Sequence, residues 1–211
     1  PPAGTQYRLR VSKDESFSVY EDSMTYALDA STAGLSANTT YYFKVSALNG
    51  NGYESGTTAV YSTVTHSAIP VMQELELADV GSSSMTVRYD ANGNPAGSLY
   101  EVWTSTDAGF GIHAGSQTYV LSVSTGGLVP NTTYYARVRV NGGSGNSDWS
   151  NVVSTVTFST VPGISWFKVH TTSITVALSA NYNPAGTRFE VSTGAFLVSN
   201  TTAGSLTGGN V

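Results

Sequence analysis

LVPNTTYYARV, residues 128–138, decides the fold. The stretch ends a run rich in Ser, Gly and Thr with a leucine, a proline and two adjacent tyrosines, then alternates apolar and polar residues. Alternation at period two sends every second side chain to one face of a strand. A slightly altered copy, LSANTTYYFKV, occupies residues 35–45, with Leu35, Asn38 and Tyr41 in the places of Leu128, Asn131 and Tyr134.

A second element repeats at the same interval. Pro2-Ala3-Gly4-Thr5 returns as Pro95-Ala96-Gly97-Ser98 and as Pro184-Ala185-Gly186-Thr187. Each copy is followed by an aromatic and, two places on, an aliphatic residue: Tyr7 and Leu9, Tyr100 and Val102, Phe189 and Val191. Two different elements recurring together at about ninety residues mark tandem units of small-domain size. Pro70 and Pro162 follow Ser/Thr-rich approaches and precede new alternating segments, so each marks a junction. The chain then divides into the C-terminal portion of one unit (residues 1–68), a whole unit (69–160) and the N-terminal portion of a third (161–211).

YRLRV (7–11), MTVRY (85–89), YEVW (100–103) and SITVAL (173–178) read as further half-buried strands, and no window carries a sustained helical stripe. Turn signals punctuate the chain: Asn49-Gly50, Asn51-Gly52, Asn94-Pro95, Gly126-Gly127 and Asn141-Gly142-Gly143. Short strands with frequent turns point to an all-β sandwich or barrel. Half-sandwiches at either end leave apolar faces and sheet edges uncovered. A window cut from a longer array accounts for them most simply, ahead of pairing with neighbouring molecules or disorder of the end segments.

Charged residues make up 11% of the chain and its net charge is -5, so the scattered basic residues form no stripe that could follow a phosphate backbone. Nucleic acid is excluded as a partner on that ground. The absence of cysteine removes disulfides and thiolate metal sites. No apolar run reaches the length of a membrane-spanning helix, and PPAGTQY lacks the basic and apolar segments of a signal peptide. The sequence reads as a mature fragment or an internal segment.

His66, His113 and His170 are too far apart for a ligand motif, and no GxSxG elbow is present. Asp14-Glu15 and Glu21-Asp22 lack a calcium-loop pattern and read as solvated loops. Nothing selects Glu101 and Asp148 over the other carboxylates as a glycosidase pair. No catalytic, cofactor-binding or metal-ligating residue is therefore assigned. Asn38, Asn131 and Asn200 each head an Asn-Thr-Thr sequon and are candidate glycosylation sites, although the turn of the repeated element explains the first two equally well. Tyr53, Trp149 and Trp166 lie outside the repeats and are candidate interface aromatics. Trp149 is expected to pack an inter-unit seam, with Tyr53 in the equivalent region of the first unit.

Leu128-x-Pro130-x-Thr132-x-Tyr134, running into Val138 and Val140, resembles the tyrosine corner and following strand of fibronectin type III domains, as arrayed in tandem in bacterial secreted or surface proteins. Leu35-x-Ala37-x-Thr39-x-Tyr41, continuing through Phe43 and Val45 to Asn49, Gly52 and Ser55, is similar, with Ala37 in place of the usual proline. The resemblance implies one complete and two partial immunoglobulin-like β-sandwiches. In the complete one, seven antiparallel strands would form two sheets, with the Tyr134 ring buried and its hydroxyl bonded to nearby backbone. The chain departs from the family at the usual buried tryptophan, a position that alignment on the Pro-Ala-Gly turn gives to Tyr89 and Leu178.

The resemblance leads to the expectation of a non-enzymatic, extracellular or cell-surface structural array, part of a surface protein or fibre, adhesive through its loops and without a cofactor. Its partners would be other copies of itself, neighbouring domains of a longer chain, or surface glycans and proteins. The alternative is a spacer or a carbohydrate- or protein-binding module of a larger secreted enzyme. Ordered self-association would favour the first reading, and glycan binding through Trp149 the second. The short proline-containing junctions, Thr65 to Pro70 and Thr157 to Pro162, are expected to restrict swing between units.

Overall fold

The computed structural model describes residues 4–190. Among them, all regular structure is antiparallel strand apart from one turn of 3-10 helix at Leu77–Asp79. Strands β1 (Gln6–Ser12), β2 (Glu21–Thr25), β3 (Thr40–Leu48) and β4 (Tyr61–Val64) form one sheet in the order β2-β1-β3-β4. Two sheets follow. One holds β5 (Val71–Met72), β6 (Ser84–Asp90) and β9 (Ser122–Gly126) in the order β5-β6-β9. The other holds β7 (Leu99–Ser105), β8 (Ala114–Thr118), β10 (Thr133–Gly142) and β11 (Gly145–Asn146), ordered β8-β7-β10-β11, with β12 (Val153–Val156) also on β10. A last hairpin pairs β13 (Gly163–Val169) with β14 (Ile174–Ser179).

The opening stretch explains the middle sandwich. On β10 alternation turns Tyr134, Ala136, Val138 and Val140 inward, and pairing with β7 sets Val138 opposite Val102 and Val140 opposite Tyr100. Met72, Met85, Val87 and Tyr89 of the facing sheet complete one buried cluster. Burying each such side chain contributes about 1.5–3 kcal/mol. The Tyr89 and Tyr100 rings lie 5.0 Å apart at 55°, and the Tyr89 hydroxyl donates to the Val120 carbonyl at 2.7 Å. Burial, with the neighbouring Tyr100, pushes the Tyr89 phenol well above its ordinary range.

Strands that the alternation missed, such as EDSMT on β2, AGSQT on β8 and SVSTG on β9, are short, mostly polar and at sheet edges. Edge strands gain little from apolar side chains, and polar ones discourage stray pairing. The loop after β1 and the loop after β7 also share an unforeseen pattern, Ser-x-Asp-x-x-Phe. Ser12 and Ser105 donate to the carbonyls of Val19 and Ile112, each at 2.6 Å. Phe17 and Phe110 sit at φ 57° and 58°, their buried rings under the Lys44 ammonium at 4.0 Å and the Arg137 guanidinium at 4.2 Å. A left-handed backbone at a residue with a side chain costs on the order of 1–3 kcal/mol, which this packing offsets.

The first sheet repeats the β8-β7-β10-β12 arrangement. Tyr7, Leu9, Val11, Tyr41, Phe43 and Val45 line a groove of about 490 Å³ on the face that β6 covers in the middle unit. On β14, Ile174, Val176 and Leu178 repeat the pattern of Met85, Val87 and Tyr89. The described residues thus form one complete and two partial sandwiches.

Candidate functional site

The two repeated sequence elements meet at each junction between units. Asn94 lies in the turn before β7, buried, and its amide clasps the incoming linker. Its Oδ1 accepts from the Ala68 N–H at 3.0 Å, while Nδ2 donates to the carbonyls of Ala68 at 2.8 Å and Ala91 at 2.6 Å. Asn92 adds a bond from Nδ2 to the Ile69 carbonyl at 2.8 Å. The second junction is built alike. Asn183 Oδ1 accepts from the Thr160 N–H at 2.9 Å, and its Nδ2 donates to Thr160 at 2.8 Å and Ala180 at 2.7 Å. Asn181 donates to the Val161 carbonyl at 2.7 Å.

The preceding unit supplies the other half through its corner. Asn38, at φ 45°, donates from Nδ2 to the Ser98 hydroxyl at 3.2 Å. Asn131, at φ 46°, donates in the same way to the Thr187 hydroxyl at 3.1 Å. Asparagine tolerates this left-handed backbone better than most residues. Ser98 and Thr187 are themselves fixed by donating to the carbonyls of Pro95 and Pro184, each at 2.8 Å.

Within each corner the tyrosine locks the loop. Tyr41 is buried and its hydroxyl accepts from the Ser36 N–H at 2.9 Å; Tyr134 does the same for Val129 at 3.0 Å. Thr39 and Thr132 donate to the carbonyls of Ala37 and Pro130 at 2.7 and 2.9 Å. Their N–H groups donate to Thr65 and Thr157, each at 3.0 Å, and those threonines donate back to Ser36 at 2.6 Å and Val129 at 2.7 Å. The corner is thereby tied to the strand end that leads into the linker. Leu128 packs, partly buried, against the core cluster, Leu35 lines the groove of the first sheet, and Pro130 is buried.

The first junction gains a further contact from the β10–β11 hairpin. Gly143 N–H donates to Asn38 Oδ1 at 3.2 Å, and the Ser144 hydroxyl donates to the Thr65 carbonyl at 3.2 Å. A Cβ on Gly142 would collide with the Ser67 hydroxyl, so glycine is what permits this approach.

Trp149 packs on the outer face of its own unit's sheet. It lies 4.3 Å from the Trp103 ring, with Arg137 at 4.3 Å and Arg139 at 4.4 Å over it. His113 stacks on Trp103 at 3.5 Å. Tyr53 and Trp166 are exposed, on the β3–β4 connection and on β13. Asn200 lies outside the described residues. Among the described residues no three His, Asp or Glu side chains converge as a metal site requires, and no helix is long and apolar enough to cross a membrane.

Glu101 anchors the aromatic stack. It accepts from Trp103 Nε1 at 2.9 Å and pairs with Arg139 at 2.6 Å. Partial burial works to raise its pKa, but the Trp103 bond and the Arg139 charge outweigh it and hold the carboxyl below its ordinary 4.5. A lowered folded-state pKa contributes stability that is present above the unfolded value and lost as pH falls through the folded one. The stability gap between the parent and Glu101→Gln, followed by denaturant unfolding, is therefore expected to narrow from neutral to about pH 3. A gap independent of pH would show that the ion pair contributes nothing.

Sequence reasoning treated the two repeats as separate markers and did not foresee that they touch. The signal is Asn-x-Asn-Pro-Ala-Gly-Ser/Thr, which starts at Asn92 and again at Asn181, three residues ahead of the Pro-Ala-Gly turn.

Comparison with known proteins bears on the fold. The fibronectin type III domain model matches residues 70–156. A two fibronectin type III domain segment from chicken tenascin is 19% identical, with a TM-score of 0.50 over 72% of this chain and 84% of that one. The chicken CNTN1 FN1-FN3 domains are 15% identical, with a TM-score of 0.39 over 73% of this chain. The chain spans 56% of the length of that fragment. No curated protein matches the chain.

Proposed function

We propose that the fibronectin type III domain formed by residues 70–156 is one bead of a structural array, in which stiff joints space successive sandwiches along an extracellular or cell-surface protein. The observation that carries this reading is the recurrence of one bonding pattern at both junctions, from the same residues of the same motif. A loose linker needs no buried asparagine clasp. Neighbouring units and other copies of the chain are the partners such an array requires, and its role is mechanical, without catalysis.

The chain has no native cysteine, so spin labels can be placed on exposed Ser62 and Ser154 as a cysteine pair across the first joint. Distance measurement in frozen solution is expected to give a single narrow distribution. A broad or multimodal one would sink the stiff-array reading.

A further inference from the structure

Within the Asn-x-Asn motif the second joint departs from the first at the middle residue. Gly93, at φ 82°, has Tyr182 as its counterpart, at φ 68°. Phe17 and Phe110 also hold left-handed backbones, but their rings are buried under a cation. The Tyr182 side chain is 85% exposed, so no packing offsets its strain. Strain that folding does not offset points to a use outside folding.

Beside Tyr182 lies a cleft of about 390 Å³, within the size range of ligand pockets. Leu128, Val129 and Pro130 give it an apolar wall, while Ser82, Ser83 and Thr160 bring hydroxyls. No charged side chain lines it among the described residues. An anionic ligand would find no cation here, and a wholly apolar one would leave polar groups without partners. A neutral ligand with one apolar face and many hydroxyls satisfies both halves.

We propose that Tyr182 and this cleft bind a saccharide. The phenol ring stacks on the C–H face of a pyranose, whose edge hydroxyls exchange hydrogen bonds with Ser82 and Ser83 and donate to Thr160, whose own proton goes to the Asn181 carbonyl. The cleft rests on the second joint, whose Thr160 and Val129 it shares, but the Tyr182 side chain takes no part in the clasp, so its removal tests the site without loosening the joint.

The test uses the 211-residue chain with cellohexaose and chitohexaose, read by saturation-transfer NMR and calorimetry. Binding to at least one is expected, with a Kd on the order of 1 mM. Tyr182→Gly should weaken it at least about tenfold. The same variant should unfold at an unchanged or higher temperature, because glycine is the residue the first joint carries there, and Tyr182→Phe should retain binding. The proposal is overturned if neither saccharide binds or if Tyr182→Gly binds as well as the parent. It is equally overturned if a proline-rich peptide occupies the site while both saccharides fail.

Discussion

Tyr89→Ala will destabilise the middle sandwich by about 3–5 kcal/mol, the range for losing a large buried aromatic side chain. Tyr89 is 2% exposed, meets the Tyr100 ring at 5.0 Å and lies in the cluster that joins the two sheets. Alanine would leave a cavity lined by Met72, Val87 and Tyr100, whose backbones are pinned by strand pairing and cannot collapse into it. Tyr89→Phe separates the two contributions of the side chain. It keeps the ring and loses only the bond to the Val120 carbonyl, for an expected cost of about 0.5–1.5 kcal/mol. Urea unfolding followed through Trp103 and Trp149 fluorescence reads both variants, since both indoles belong to this unit. Equal losses for alanine and phenylalanine would mean that the hydroxyl, not the ring, holds the sheets together.

Asn94→Ala is expected to cost about 2–4 kcal/mol, because one buried amide serves Ala68 as both acceptor and donor and also caps Ala91. Truncation leaves the Ala68 N–H without this partner in a part-buried site. The label pair at Ser62 and Ser154 should then report a broadened distance distribution, which separates loosening of the joint from loss of the fold. Asn94→Asp is the sharper variant. It keeps an acceptor for the Ala68 N–H but turns an anionic oxygen toward two carbonyls, so it should be at least as damaging as alanine at neutral pH. It should recover partly when the carboxyl is protonated, because the protonated oxygen can donate again. Wild-type distances in Asn94→Ala would place the stiffness of the joint elsewhere.

Much of the fold was legible because two periodicities coincide in the chain. The alternation of Tyr134, Ala136, Val138 and Val140 fixes which face of β10 is inward, and the paired repeats fix where one unit gives way to the next. Tyr89 falls where alignment placed the usual tryptophan, and it fills a core position there. The joint was not legible in the same way. Asn38 and Ser98 lie far apart in sequence, and nothing local to either shows that a proline-ended linker folds one onto the other. Trp149 shows the same limit. Its stacking partners Trp103, Arg137 and Arg139 come from two strands whose register only the fold reveals, so an expected seam residue lies on the face of its own sheet. Polar edge strands escaped because pairing with β7 and β6, not their own side chains, holds them in place.

The middle unit carries Asn94 and Ser98 at one end and Asn131 at the other, so it holds the plug of one joint and the socket of the next. A duplication that copies such a unit whole copies both halves of the coupling, and the new bead fits its neighbours without any compensating mutation. Loss of a whole unit is equally harmless to the couplings that remain. Recombination alone can therefore lengthen or shorten such a chain, which makes reach a quantity adjustable in steps of one bead.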